Sequence, residues 1–365
     1  MAGLHILDGN CFLHAGDANF SKDFKWCGFP TSGIYVLMRK ICDLTAHKES
    51  FVVVFDSPSF RKSINSDYKK SRKVNNKILA QANAIIPELK KAGVSVLQVP
   101  EFEGDDLIAN IIKHNKEMET YIYTCDYDIA INVRKNVTVI GCINTFPTIK
   151  STNFECTVRD WTGNGVIPYN TIGVHKCIFG CSGDEVIGID DDWADSIWYT
   201  YTNYVEKNYT ALNKSPLVTS SVSKKFFNMI KDKIPETVYR KLMENVILVF
   251  PRYLTDDEIS RYDLKLTGFE YPDSTDLSEV CGMFGLKGCY SLLMRNTENF
   301  EALTEDYKSV VFKLAEEYKA QAPAIDAELP FGYEIEYNGS DFGTDEFMSD
   351  DAYNEAVHGV NIGGY

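Results

Sequence analysis

Phe51-Val-Val-Val-Phe-Asp-Ser-Pro58 decides the fold. Five consecutive β-branched or aromatic residues, closed by a carboxylate and a Ser-Pro turn, predict a strand that ends at Asp56. Gly3 to Leu7 reads as a second strand ending at Asp8, Val94 to Val99 as a third, and Thr120 to Thr124 as a fourth. The fourth runs into Cys-Asp126-Tyr-Asp128, and Asn136 to Cys142 reads as a fifth strand. Helical spacing fills the gaps over Thr31 to Ala46, Asn76 to Lys91 and Glu103 to Lys116. Strands alternating with helices predict an α/β fold around a parallel sheet of about five strands.

The acids sit where such a fold builds sites. Glu103, Asp105 and Asp106 crowd the mouth of an apolar helical run. Any one of them is explained as a cap or a first-turn acid that complements the helix dipole. Asp8, Asp56, Asp126 and Asp128, however, lie at or just beyond predicted strand ends, and Asp184 adds an eighth carboxylate from a later turn. A parallel sheet brings strand ends to one edge. Oxygen ligands gathered there suit Mg²⁺ or Mn²⁺ rather than zinc. Two such ions about 3.5 to 4 Å apart can activate a water and stabilise the leaving oxygen of a phosphodiester. The pattern therefore predicts metal-dependent nuclease chemistry. Asp190-Asp-Asp192 reads instead as a solvated turn.

Directly after Asp56 comes the chain's dense basic stretch, Phe60 to Lys73. It carries Arg61, Lys62, Lys69, Lys70, Arg72 and Lys73 against the single acid Asp67, with Phe60 and Tyr68 interleaved. Read as a helix, it would set basic side chains on phosphates while Tyr68 stacks on an unpaired base. Lys69 or Arg61 could also neutralise charge on the scissile phosphate. The net charge of −15 does not oppose this, because its source is local. Of 52 acids, ten lie in residues 326–365, which hold no Lys or Arg, leaving 42 acids against 37 bases in the first 325 residues.

Beyond Lys150 the pattern turns helical, over Thr171 to Phe179, Trp193 to Val205, Ser221 to Phe250 (divided at Pro235) and Phe300 to Ala320. The acidic, aperiodic tail from Asp326 is expected to be disordered. Ten scattered cysteines, among them Cys11, Cys42, Cys125 and Cys142 in apolar runs, suit reduced core thiols and no disulfides. His175, Cys177 and Cys181 lack a second pair at zinc-site spacing. No P-loop, GxGxxG or GxSxG is present. No apolar run approaches the ~20 residues of a membrane span, and the N-terminus lacks signal-peptide character, so a cytoplasmic setting is expected.

In order, LHILDGN around Asp8, VVVFDSPSFRKSINSDYKKSRK from Val52, FEGDDLIANI from Phe102, YTCDYDIAI from Tyr123, CIFGCSGDEVIGI from Cys177 and ENVILVFPRYL from Glu244 resemble the 5′ nuclease superfamily. That superfamily comprises flap endonucleases and 5′ to 3′ exonucleases with a PIN-like fold, and the resemblance is nearest to the phage enzymes, the RNase H of T-even phages included. It covers about residues 1 to 295. It implies a PIN-like α/β core over 1–150 with a helical gateway at about 57–92, a helical DNA-binding region over 151–325, and the tail over 326–365. It implies a first metal held by Asp8, Asp56, Glu103 and Asp105 with Asp106 adjacent, and a second held by Asp126, Asp128 and Asp184. Tyr68, Lys69 and Arg72 fall where the gateway has its stacking tyrosine, catalytic lysine and phosphate-contacting arginine. Thr171 to Tyr201 resembles the helix-three-turn-helix that grips duplex backbone.

The expected substrate is DNA with a 5′ end or flap, or RNA in RNA/DNA hybrids, during replication, cut by a monomer using two Mg²⁺ or Mn²⁺ ions. If phage-encoded, it would act in the host cytoplasm, with a replication protein as a possible contact of the acidic tail. A PIN-like ribonuclease on structured RNA and a binder without catalysis are the alternatives. Two departures stand out. Cys181 replaces an Asp of the phage pattern, which removes one carboxylate from the second site, and Gly188-Ile-Asp-Asp-Asp-Trp193 replaces a glycine-rich hairpin.

Overall fold

The computed structural model describes residues 3–20, 24–142, 148–150, 155–160, 163–168, 171–212, 218–294 and 297–321. A five-stranded parallel sheet lies at its centre, in the order Val96–Leu97, Ser50–Val54, Leu4–Asp8, Thr120–Tyr123, Val137–Ile140. All five predicted strands are present, the third reduced to two residues. Asp8 pairs with Val54 and Leu7 with Tyr123, so the three central strands end level. The residues that follow them emerge together on one edge.

Alternation along each strand feeds two cores. Leu7, Phe51 and Val53 face the helices Gly9–Asn19, Ser32–Ala46 and Asn76–Lys91, whereas Ile6, Val52 and Val54 face the helix Gly104–His114. A third apolar cluster, around Val174, Ile178, Tyr201, Phe226 and Leu242, joins helices Ile172–Phe179, Asp191–Leu212, Val218–Ile230 and Glu236–Val249. No described helix is long and apolar enough to cross a membrane.

Three expectations need correction. Residues after 150 begin with an antiparallel hairpin, Glu155–Asp160 with Gly163–Pro168, rather than a helix. The division between 1–150 and 151–325 fails at the far end. Helices Ser274–Met283, Lys287–Leu293 and Phe300–Gln321 return to the first core, where Leu277, Phe284, Tyr290, Phe300 and Val311 pack with Leu13 and Leu37. The reason is that helix Ser32–Ala46 carries apolar residues on more than one side and is buried nearly all round, so one side faces the sheet layer and the other needs a cover. The basic stretch, finally, is helical only over Arg61–Ile64 and continues as turns to Lys73. The acidic tail, residues 326–365, lies outside the described residues.

Helix Gly9–Asn19 meets helix Ser32–Ala46 through a pair of glycines. A Cβ on Gly16 would stand 2.4 Å from the Ser32 carbonyl oxygen and 2.5 Å from the Gly33 Cα, both backbone atoms that cannot swing aside. Gly16→Ala should therefore lower unfolding stability by about 1 to 3 kcal/mol, the usual cost of overpacking. Gly183→Ala, where an added Cβ meets nothing within 4 Å, should change it little. Denaturant unfolding of the two variants beside the parent protein measures the difference.

Candidate metal and nucleic-acid site

Four carboxylates occupy the level edge of the sheet. Asp8 ends its strand and caps the following helix, its Oδ1 accepting from the Cys11 N–H at 3.0 Å and its Oδ2 from the Thr124 hydroxyl at 2.8 Å. Asp56, two residues past its strand, accepts from Asn10 Nδ2 at 2.5 Å and the Gly104 N–H at 2.7 Å. Asp126 caps the short 3₁₀ turn Tyr127–Asn132, and Asp105 lies in the first turn of helix Gly104–His114. Among the described residues none of these four has an ion-pair partner, while Glu103, Asp106, Asp128 and Asp184 all do.

Their protonation records that imbalance. Burial and the nearby Asp56 push Asp8 up to about 7. Asp126, whose side chain still reaches solvent, is pushed up to about 6 by the surrounding protein and by Asp128. Asp105 is raised well above its ordinary value by its surroundings and by Asp126. Like charge crowded this closely calls for a cation. Oxygen-only donors of this kind fit a hard divalent ion. No three of the carboxylates bring oxygens within 4.8 Å of one another among the described residues, so the ledge is broader than a cage preformed around one ion.

Asp106 does not belong to this ledge. It is 0% exposed, and Arg61, itself 2% exposed, grips it through Nη1 to Oδ2 at 2.9 Å and Nη2 to Oδ1 at 2.7 Å. The Arg252 and Glu103 N–H groups take its remaining acceptor positions, at 2.7 and 3.1 Å. One residue of helical rotation turns Asp106 inward where Asp105 looks out. Arg61 also donates to Glu103 Oε2 at 3.1 Å and to the Phe250 carbonyl at 3.1 Å. It is a buried strut and is not placed to neutralise a phosphate. Tyr68 is likewise only 3% exposed, packed against Val186 and Leu248, with its hydroxyl donating to Glu103 Oε2 at 3.1 Å. In this arrangement its ring has no free face for a base.

Lys69 is the basic residue that reaches the acids. Its Nζ lies 3.0 Å from Glu103 Oε1 and 3.7 Å from Asp184 Oδ1. Its backbone is left-handed at φ 50°, held there by its N–H on the Asp184 carbonyl at 3.2 Å, a conformation unusual without glycine. Arg72 reaches the same acid, Nη2 to Oδ1 at 2.9 Å, yet stays exposed. Lys62, Lys70 and Lys73 are exposed, Lys70 pairing with Asp67 at 2.9 Å.

Asp184 is delivered by a sharp reversal after helix Ile172–Phe179. Gly180 has φ 82°, and a Cβ there would stand 2.4 Å from the Val186 carbonyl oxygen. Although burial raises Asp184, the cations Lys176, Lys69 and Arg72 outweigh it and hold the carboxyl below its ordinary value. Lys176 escaped the sequence reading. Its ammonium bonds Asp128 and stands 3.6 Å from Asp184 Oδ2, so it already serves two of the three acids expected to hold the second ion. Thr124 was missed as well: it donates to Asp8 and accepts from the Asp126 N–H at 3.1 Å, tying two strand ends together. Cys181 adds a thiol 3.5 Å from Asp184 Oδ2.

Residues 3–158 match the family described as 5′-3′ exonuclease, N-terminal resolvase-like domain. The sheet with helices on both faces is the α/β, PIN-like core expected from sequence. A 5′-3′ exonuclease of Aquifex aeolicus (strain VF5) is 35% identical over 151 residues, which are 40% of this chain and 52% of that protein. One from Buchnera aphidicola subsp. Acyrthosiphon pisum (strain APS) is 27% identical over 152 residues, 38% of this chain and 53% of that protein. The chain thus spans about half the length of the curated relatives it matches. Among solved structures, the T5 5′-exonuclease with bound divalent metal ions (zinc) is 16% identical at a TM-score of 0.42, covering 67% of this chain and 98% of that one.

The raised Asp8 carboxyl fixes a pH dependence. A carboxyl with a folded value above its unfolded one holds its proton better when folded. Its contribution to stability is therefore present at low pH and is lost as pH rises from 3.8 to about 7. In EDTA, Asp8→Asn should gain thermal stability relative to the parent as pH rises through that window, and saturating Mg²⁺ should shrink the gap. Melting temperatures of both proteins across the window, with chelator and with metal, provide the check.

Proposed function

We propose that the protein, whose residues 3–158 match the 5′-3′ exonuclease, N-terminal resolvase-like domain, is a divalent-metal-dependent nuclease acting at 5′ ends or flaps of DNA. RNA in RNA/DNA hybrids is a second substrate of the same chemistry, and replication is the setting in which such ends arise. The observation that carries this reading is the ledge of Asp8, Asp56, Asp105 and Asp126, without ion-pair partners among the described residues, with Lys69 beside it.

Mg²⁺ or Mn²⁺ bound there would supply an activated water and charge stabilisation for the leaving oxygen. The chain's own residues do the rest. The four acids without ion-pair partners among the described residues would hold the ions, with Asn10, Thr124 and the Cys11 and Gly104 N–H groups fixing the orientation of Asp8 and Asp56. Lys69, held by Glu103 and Asp184, exchanges one of those acids for the scissile phosphate and offsets its charge. Arg61 keeps Glu103 and Asp106 in register, so the helix that carries Asp105 cannot slide.

Arg72, with exposed Lys62, Lys70 and Lys73, contacts neighbouring phosphates. The helices Ile172–Phe179 and Asp191–Leu212, with the reversal between them, grip the duplex backbone. Lys176 sets the second half of the site apart. An ion bound by Asp126, Asp128 and Asp184 has to compete with an ammonium already there, and Cys181 is a poor ligand for it.

The test is cleavage of 5′-labelled flap, blunt-duplex and RNA/DNA hybrid substrates in Mg²⁺, Mn²⁺ or EDTA. Products should require metal and disappear in Asp126→Ala. Lys69→Ala should lower turnover roughly 10²- to 10³-fold, the cost of removing one transition-state charge contact, with little loss of substrate affinity. Cleavage that survives EDTA would refute the proposal. Tight metal-independent binding without products would mark the chain as a structure-specific binder.

A further inference from the structure

Cys11, Cys125 and Cys142 come from three neighbouring strands of the sheet. Cys11 lies in the first turn after Leu4–Asp8, Cys125 just past Thr120–Tyr123, and Cys142 just past Val137–Ile140. Their sulfurs converge. Cys142 Sγ is 3.1 Å from that of Cys11 and 3.0 Å from that of Cys125, and all three lie within 4.8 Å of one another. Sequence alone suggested separate core thiols, yet none of the three is fully buried. Among the described residues they are the one group of three or more metal-ligating side chains that closes to this distance.

We propose that these three cysteines bind a soft, thiolate-seeking ion of the zinc class. Cys11 also accepts the Cys125 N–H on its sulfur at 2.9 Å, which ties two of the three positions together. On binding, three S–H protons pass to solvent as three metal–sulfur bonds form, with no change of oxidation state, and water takes the fourth position. Zn–S bonds of about 2.3 Å place tetrahedral sulfurs about 3.8 Å apart, so the thiols need only open by less than about 1 Å.

The site differs from the acidic ledge in every chemical respect. Mg²⁺ prefers the carboxylates, and a soft ion prefers sulfur. A divalent ion with three thiolates is net negative, so it cannot neutralise the acids beside it. It does pin them: Cys11 donates its N–H to Asp8, and Cys125 immediately precedes Asp126. That last consequence rests on the nuclease reading. The thiol site itself stands or falls separately.

The experiment is a titration of the full chain with Cd²⁺, in excess Mg²⁺ and a phosphine reductant, followed by thiolate-to-metal charge-transfer absorption. One equivalent should give the band, raise the melting temperature and be displaced by Zn²⁺. Cys142→Ser and Cys11→Ser should each weaken binding roughly tenfold or more. Cys27→Ser, in the remote hairpin Lys25–Pro30, should not. Cys125→Ser provides a third probe should either of the others fold poorly. Absence of the band, or its persistence in Cys11→Ser and Cys142→Ser, overturns the proposal. So does a chain isolated without reductant in which two of the three sulfurs are joined as a disulfide, since that would make them a redox pair.

Discussion

Like charge held at one sheet edge is the constraint on which the structure turns. Asp8, Asp56, Asp105 and Asp126 are delivered there by strands that end level and by one helix start, without ion-pair partners among the described residues. Two of them, Asp8 and Asp126, are raised to about 7 and about 6. A fold tolerates this only if something else holds the edge rigid. Arg61 does so, bridging Asp106, Glu103 and the Phe250 carbonyl from a fully enclosed position. Breaking such a buried pair costs about 3 to 5 kcal/mol, far more than an exposed one.

The eight acids therefore divide by what faces them. Asp106 is structural, satisfied on both oxygens. Glu103, Asp128 and Asp184 are bound to Lys69, Lys176 or Arg72, groups that a substrate or an ion can displace. The remaining four are free to take a metal. Lys176 and Cys181 both lie on the Asp128–Asp184 side, so the two halves of the site are unequal.

Much of this was legible in the chain because strong local signals agreed with the fold. Phe51 to Phe55 could be little but a strand, and its neighbours followed from the same alternation of apolar runs and carboxylates. Glu103, Asp105 and Asp106 announced a helix start, and the capping box between Glu103 and Asp106 is there. What adjacent identical residues could not show is which one turns inward, since that depends on a 100° rotation and on Arg61 waiting beneath. The gateway stretch was misread for a related reason. Its composition suits a helix, but Tyr68 and Lys69 are held by Glu103, Val186 and Asp184, contacts far away in sequence that override propensity. Lys176 lay in an apolar helix without local signal. The short helices Ser274–Met283 and Lys287–Leu293 gave too few turns for a period to register.

Mn²⁺ binding, followed by the loss of its free-ion paramagnetic resonance signal, tests the central claim most directly. Asp105→Asn should weaken binding by at least the roughly tenfold expected when a metal site loses a supporting group. Asp106→Asn, if it folds, should retain most of the affinity, because that oxygen pair faces Arg61. A protein that binds no Mn²⁺ would contradict the account, as would one whose affinity is unchanged by Asp105→Asn.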